Sequence, residues 1–187
     1  ILDKDQIKKD YPIINTDEVI GGILMPGDGA ADPSGVTHML AKGARKYGAQ
    51  IFEKSPVDEI LTKDGKISGV KVNGHKIDCE YIVLASGMWS RQIGDKAGVS
   101  IPLYPAEHFY IITEPIDNLS KTLPVIRDFD NRTYIKEDAG KILVGIFEGN
   151  SIPAWDKTNK VPEDFSFGEF QENFEHFEPY LASAIKR

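Results

Sequence analysis

With one cysteine, Cys79, among 187 residues, no disulfide can close within the chain, and chemistry that needs paired thiols is excluded. That usage fits a reducing compartment, and Cys79, placed before an apolar segment, reads as a buried and inert thiol. Long apolar runs are lacking too. Nothing approaches the roughly 18–20 residues of a membrane-spanning helix, and the opening Ile1-Leu2-Asp3-Lys4-Asp5 is too polar for a secretory signal. Basic runs are absent: the net charge is −7 with no Lys/Arg cluster, which argues against nucleic acid and membrane surfaces as partners and favours a small molecule or a protein. His38, His75 and His176 lie far apart on separate segments and make no recognisable metal site. A complete dinucleotide fingerprint is missing as well. The nearest match, Gly27-Asp28-Gly29-Ala30-Ala31-Asp32, puts aspartate where the third glycine should pack helix on strand, and two carboxylates there would repel a pyrophosphate. It reads as a turn before a helix.

What is present supports one substantial core with room for a smaller second one, at 41% hydrophobic and 27% charged residues. The first half follows an α/β rhythm. Ile20 to Met25 is a short apolar run before the Gly-rich loop Pro26 to Ala31. Asp32 suits an N-cap and Pro33 the first helical position. Val36, Met39, Leu40, Gly43, Ala44 and Tyr47 then recur at three- and four-residue spacing until Gly48 supplies a stop. Ala49 to Phe52 reads as a short strand. Val57 to Leu61, Ile67 to Val72 and His75 to Ile77 read as an antiparallel meander, because Asp64-Gly65 and Asn73-Gly74 favour tight hairpin turns.

The meander leads into Tyr81 to Leu84 and the run Ala85-Ser86-Gly87-Met88-Trp89, with a new helix opening near Ser90. A buried parallel strand whose carboxyl end turns into a glycine is where α/β sheets hold nucleotide cofactors, since the backbone there can approach a ligand closely. In the second half, Tyr110 to Thr113, Val125 to Asp128, Arg132 to Lys136 and Ile142 to Phe147 are β-rich and joined by Asp130-Asn131 and Asp138-Ala139-Gly140, which predicts an antiparallel sheet. Pro153 to Pro162 reads as a loop with Trp155. Phe167, Phe170, Phe174, Phe177 and Leu181 predict an amphipathic helix over 164–186, interrupted or restarted at Pro179, with the aromatic stripe in the core. The chain begins without methionine and ends on what looks like an unfinished helix, so an excised piece of a longer protein is expected.

This order of segments, with Asp32-Pro33, Gly43-Ala44, Gly48-Ala49, Val57 and Ala85 to Trp89, resembles the middle of the FAD-dependent amino-acid oxidase superfamily. Tyr104-Pro105-Ala106-Glu107-His108-Phe109-Tyr110, followed by Thr113-Glu114-Pro115-Ile116, is similar to its dimethylglycine and sarcosine dehydrogenase branch, where the usual form is His-Gln-Tyr. His176-Phe177-Glu178-Pro179 resembles the same branch, including its catalytically silent relative, the regulatory subunit of pyruvate dehydrogenase phosphatase.

The resemblance implies an α/β (α+β) fold: a partial FAD-binding Rossmann-like layer with a β-meander over 1–100, including a short substrate-domain excursion near 15–27, and an antiparallel-sheet substrate domain with a helix over 101–187. It implies that the fingerprint and the last piece of the flavin domain lie outside this segment, so that the missing segments of the same flavoenzyme are its partners. FAD is the implied cofactor, with tetrahydrofolate possible through a further domain, and the bacterial cytoplasm or mitochondrial matrix is the implied location. The implied reaction oxidises the C–N bond of an N-methyl amino acid, with hydride passing to the flavin. The alternative is a noncatalytic regulatory or partner-binding relative.

On the resemblance, the backbone of Val57 and the Ala85-Ser86-Gly87 turn lie near the cofactor, while Trp89 either covers it or packs beneath it. His108 and Tyr110 are the catalytic candidates. They alternate on one strand and so share a face, the imidazole as proton acceptor and the phenol as an orienting group, unless His108 is a satisfied histidine at a junction and Tyr110 is core. A carboxylate substrate calls for a cation. Arg127, Arg132 and Lys136 lie on the sheet-forming part, and the spacing selects none of them; Arg132 and Tyr134 are taken as substrate-binding candidates. Tyr134 and Gly145 to Gly149 are candidates for the flavin face.

Overall fold

The computed structural model describes residues 1–158 and 160–187. In chain order its elements are helices α1 (Lys4–Asp10) and α2 (Pro33–Lys46), strands β1 (Val57–Lys63), β2 (Lys66–Val72) and β3 (His75–Asp78), a 3₁₀ turn (Gly87–Trp89), helix α3 (Ser90–Lys96), strands β4 (Tyr110–Ile112), β5 (Ile126–Asp128), β6 (Thr133–Asp138) and β7 (Lys141–Ile146), and helix α4 (Phe174–Lys186). They fall into two compact units. The first comprises Ile1–Asp32, Glu107–Ile152 and Glu169–Arg187, and the second Pro33–Ala106 and Pro153–Gly168. Each has its own antiparallel sheet, so the fold is mixed helix and antiparallel sheet.

The first unit holds the sheet β4-β7-β6-β5. The β6–β7 hairpin turns on Ala139 and Gly140, both with positive φ, and pairs Asp138 with Lys141. One face of the sheet is the core. Ile135, Ile142 and Val144 are buried with Tyr11 and Ile14, and Ile7, Ile111, Leu119, Leu123, Ile126 and Ala184 pack around them. Period-2 alternation therefore sends the neighbours Tyr110, Tyr134 and Gly145 to the other face. Helix α1 was not expected. Its signal is a capping box: the Asp3 carboxylate accepts from the Gln6 N–H at 2.9 Å, and the Gln6 amide oxygen accepts from the Asp3 N–H at 2.9 Å.

In the second unit β1, β2 and β3 form the expected meander. Asp64-Gly65 and Asn73-Gly74 all have positive φ, as two-residue hairpin turns of the primed type require. Helix α2 runs as expected and ends at Lys46, just before Gly48, whose φ of 92° turns the chain out of the helix. Segment 153–168 returns to this unit. The Trp89 indole N–H donates to the Pro162 carbonyl at 3.0 Å, and the Gln92 side-chain amide bonds the Val161 backbone in both directions.

Some sequence expectations are corrected. The apolar run Ile20 to Met25 makes a single isolated bridge, Gly22 to Leu2, whereas Ala49 to Phe52 and Tyr81 to Leu84, expected as strands, form none. A strand exists only where a neighbour completes its ladder, and the described residues offer these segments none, which leaves Tyr81 and Val83 86% and 89% exposed. The helix expected over 164–186 begins only at Phe174, where the Asn173 side chain caps it by accepting from the His176 N–H at 3.0 Å, and it continues through Pro179. Of the aromatic stripe only Phe177 is buried; Phe167 and Phe170 precede the helix and are exposed, and Phe174, at its first position, is exposed as well. Cys79 is half-buried rather than enclosed.

Candidate functional site

On the open face of the first unit, strand register builds a row across all four strands. Tyr110 on β4 pairs with Gly145 on β7, Gly145 with Tyr134 on β6, and Tyr134 with Arg127 on β5. Gly145 is required here: a Cβ at this position would fall within the Tyr134 ring, which lies across the bare backbone. His108, just before β4, reaches the same face. Its Nε2 lies 3.2 Å from the Tyr134 hydroxyl, and the two rings are nearly parallel, with 8° between their planes and centroids 5.9 Å apart.

Phe147 completes the cluster, its ring 5.3 Å from that of Tyr134, with the Arg127 guanidinium 4.9 Å above it. Behind His108 stands Glu148. Its side chain is only 4% exposed, one carboxylate oxygen accepts from the Phe109 N–H at 3.1 Å, and the other lies 3.5 Å from His108 Nδ1. Burial raises the Tyr134 phenol above its ordinary value, the negative charge of Glu148 and the neighbouring Tyr110 add to this, and Arg127 opposes it. Tyr134 is thus held as a neutral hydroxyl that can both donate and accept.

The structure therefore brings together His108, Tyr110 and Tyr134. Arg132 is elsewhere: it sits exposed in the β5–β6 turn with positive φ, its guanidinium against Gly149. Arg127 holds the corresponding place in the row. Nothing in the spacing could choose between the two arginines, because the choice rests on the register of β5 against β6. Glu148 carried no separate signal beyond its glycine-flanked segment.

The second unit carries the candidates of the cofactor side. Ala85 and Gly87 are exposed; Gly87 has a φ of 55° and open space where a side chain would stand. Ser86 Oγ lies 3.2 Å from Ser90 Oγ at the start of α3. The Val57 carbonyl accepts from Lys96 Nζ at 3.0 Å, and Trp89 is half-buried and tied to Pro162. An accessible left-handed glycine between an apolar segment and a helix fits one wall of a dinucleotide site. In the first unit, the Gly27 to Asp32 stretch is an exposed loop whose Asp28 N–H donates to the Met25 carbonyl at 3.0 Å, a turn as expected. Among the described residues no group of three or more His, Cys, Asp and Glu could hold a metal, and no helix is long and apolar enough to cross a membrane.

The profile of the FAD-dependent oxidoreductases, the DAO family, matches residues 1–187. The chain belongs to that family. This DAO-family chain is 37% identical over 183 residues, 98% of its length, to the 4-methylaminobutanoate oxidase (formaldehyde-forming) of Paenarthrobacter nicotinovorans, of which it covers 22%. It is 33% identical over its full length to the mitochondrial pyruvate dehydrogenase phosphatase regulatory subunit of Mus musculus and 32% identical to the mitochondrial sarcosine dehydrogenase of Homo sapiens, covering 21% and 20% of them. It spans about a fifth of the length of these curated relatives. Among solved structures, the L-proline dehydrogenase from P. horikoshii superposes with a TM-score of 0.80 at 27% identity, over 99% of this chain and 46% of that one.

Proposed function

We propose that this DAO-family chain is part of a flavoenzyme that oxidises the C–N bond of an N-methyl amino acid, with the cluster on the open sheet face handling the amine. The observation that carries the reading is the His108–Tyr134 pair standing in one row with Tyr110 and Arg127. Bound FAD supplies the hydride acceptor. Before hydride can leave the carbon next to nitrogen, the ammonium must give up its proton, because the nitrogen lone pair drives the departure. His108 Nε2, on the exposed face, accepts that proton. The phenols of Tyr134 and Tyr110 orient the amine, and the Arg127 guanidinium pairs with the carboxylate. The iminium left behind is hydrolysed by water to the demethylated amine and formaldehyde. In the full-length protein we place tetrahydrofolate at a further domain, intercepting the iminium in place of water. Val57, Ala85, Ser86, Gly87 and Trp89 hold one side of the dinucleotide.

The test is anaerobic mixing of the full-length, FAD-loaded protein with sarcosine, dimethylglycine and 4-methylaminobutanoate. At least one should bleach the flavin absorbance, and His108→Asn should slow that step by roughly 10²–10⁴-fold, the usual worth of an acid–base group. A protein that binds FAD and is bleached by no N-methyl amine overturns the enzyme reading. It favours instead the second one, a noncatalytic regulator, which rests on the 33% identity to the phosphatase regulatory subunit.

A further inference from the structure

His108 has two ring nitrogens, and proton acceptance from an amine demands a free lone pair on the outward one. The surroundings of the ring decide which nitrogen that is. Glu148 presents a carboxylate that is 4% exposed, 3.5 Å from Nδ1. A lone pair on Nδ1 would face that anion, whereas an N–H there is attracted to it, although the imidazole itself is 46% exposed. Nε2 faces the Tyr134 hydroxyl at 3.2 Å, a group able to donate to a lone pair. The carboxylate is itself held: its other oxygen accepts from the Phe109 N–H at 3.1 Å, on the residue that follows His108, so imidazole and carboxylate are tied to the same stretch of backbone.

We propose that Glu148 is the positioning residue of His108: its buried carboxylate fixes the tautomer with the proton on Nδ1 and leaves the Nε2 lone pair facing Tyr134 and the substrate amine. This rests on the reading of His108 as proton acceptor, which it deepens. Glu148 touches no substrate; it acts through the ring, as a carboxylate behind a metal-bound histidine fixes that ligand. Besides Glu148, the charged and titratable groups that the open face carries among the described residues include Tyr110, Tyr134, Arg127 and, further along β6, Lys136 and Asp138, which pair with each other at 3.6 Å; Tyr134 is the one hydrogen-bonded to the ring.

The experiment compares the full-length, FAD-loaded protein with its Glu148→Gln and Glu148→Ala variants. Histidine ¹⁵N NMR, at a pH where His108 is neutral, reads which nitrogen carries the proton. The wild-type ring should be almost wholly Nδ1–H. Each variant should lower the ratio of Nδ1–H to Nε2–H by roughly tenfold or more, since an electrostatic preference of about 1.4 kcal/mol is removed. Stopped-flow flavin reduction by the preferred amine should slow by roughly 10–100-fold at saturation, the usual cost of losing such a support, with little change in the half-saturating concentration, and Glu148→Asp should recover part of the rate. An Nδ1–H tautomer that persists in both variants overturns the proposal, whatever the turnover. A His108→Asn protein that reduces flavin at the wild-type rate overturns the acid–base reading instead, and the NMR result still decides what Glu148 does to the ring.

Discussion

Tyr11 is fully enclosed in the core of the first unit, and its hydroxyl has no hydrogen-bond partner among the described residues. Burial, with Glu137 adding to it, pushes the phenol up from 10.0 to about 12. A raised folded-state value means that the native protein keeps the proton longer than the unfolded chain does. The contribution to stability is therefore whole below pH 10 and lost as the pH rises through about 12. Tyr11→Phe should remove that alkaline decline and, by deleting an unpaired buried hydroxyl, leave neutral-pH stability unchanged or raised by about 1 kcal/mol. Urea midpoints measured across the alkaline range check both; an equally steep decline in the variant would assign it to another group. Gly145 gives the opposite case. Gly145→Ala puts a methyl group into the Tyr134 ring, so the ring must leave the row and lose His108. We expect a loss of about 1–3 kcal/mol, the range for overpacking, with a changed near-ultraviolet tyrosine signal while the β-sheet signal stays.

Helix α4 depends on an anchor beyond its own turns. Arg187 Nε donates to the Asp128 carboxylate at 2.8 Å, with the two side chains 15% and 9% exposed, and Arg187 Nη1 donates to the Asn15 carbonyl at 3.2 Å. Burial raises the Asp128 carboxyl, but the Asn131 side chain and backbone N–H and the Arg187 guanidinium outweigh it and hold the group below its ordinary value of 3.8. Its stabilisation is therefore complete above pH 3.8 and lost as the pH falls below that. Asp128→Asn should cost about 1–3 kcal/mol, between an exposed and a buried ion pair, and flatten the acid limb of the stability profile measured by denaturant unfolding. The elements differ in how legible they were. The β1–β3 hairpins could be read because Asp64-Gly65 and Asn73-Gly74 encode their turns locally, and α2 because its periodicity and its Gly48 stop lie within one segment. Tyr81 to Leu84 was misread because being a strand depends on neighbours, which an apolar run does not contain. The phenylalanine spacing from 167 onward suggested a longer helix, yet a local cap at Asn173 decides where α4 begins. The sharing of a face by His108 and Tyr110 followed from alternation. The presence of Arg127 rather than Arg132 in the row did not, because it depends on the register of β5 against β6.

Across the whole molecule, apolar burial is uneven, and that difference predicts how the described chain behaves alone. The first unit encloses Tyr11, Ile14, Ile135, Ile142, Val144, Ile146 and Phe177. The second buries chiefly Ala154 and Val161 among its apolar side chains, while Met39, Leu40, Tyr47, Phe52, Tyr81 and Val83 stand exposed and α2 buries none of its residues. Protection against hydrogen exchange follows buried contacts and protected hydrogen bonds. Amides of β6 and β7 should therefore exchange at the slow, globally limited rate in the 187-residue chain. Those of α2 and of residues 81–86 should exchange faster by orders of magnitude, since an unpacked helix of this length is marginal in water. The relatives that share these segments are about five times longer. We expect the full-length protein to cover the α2 face and the 81–86 segment and to slow their exchange to that of the sheet. Mass-spectrometric exchange on both forms measures this. Equal protection of α2 and β7 in the short chain would show that the apolar face is already packed, and the account of the second unit as one wall of a larger cofactor domain would fall with it.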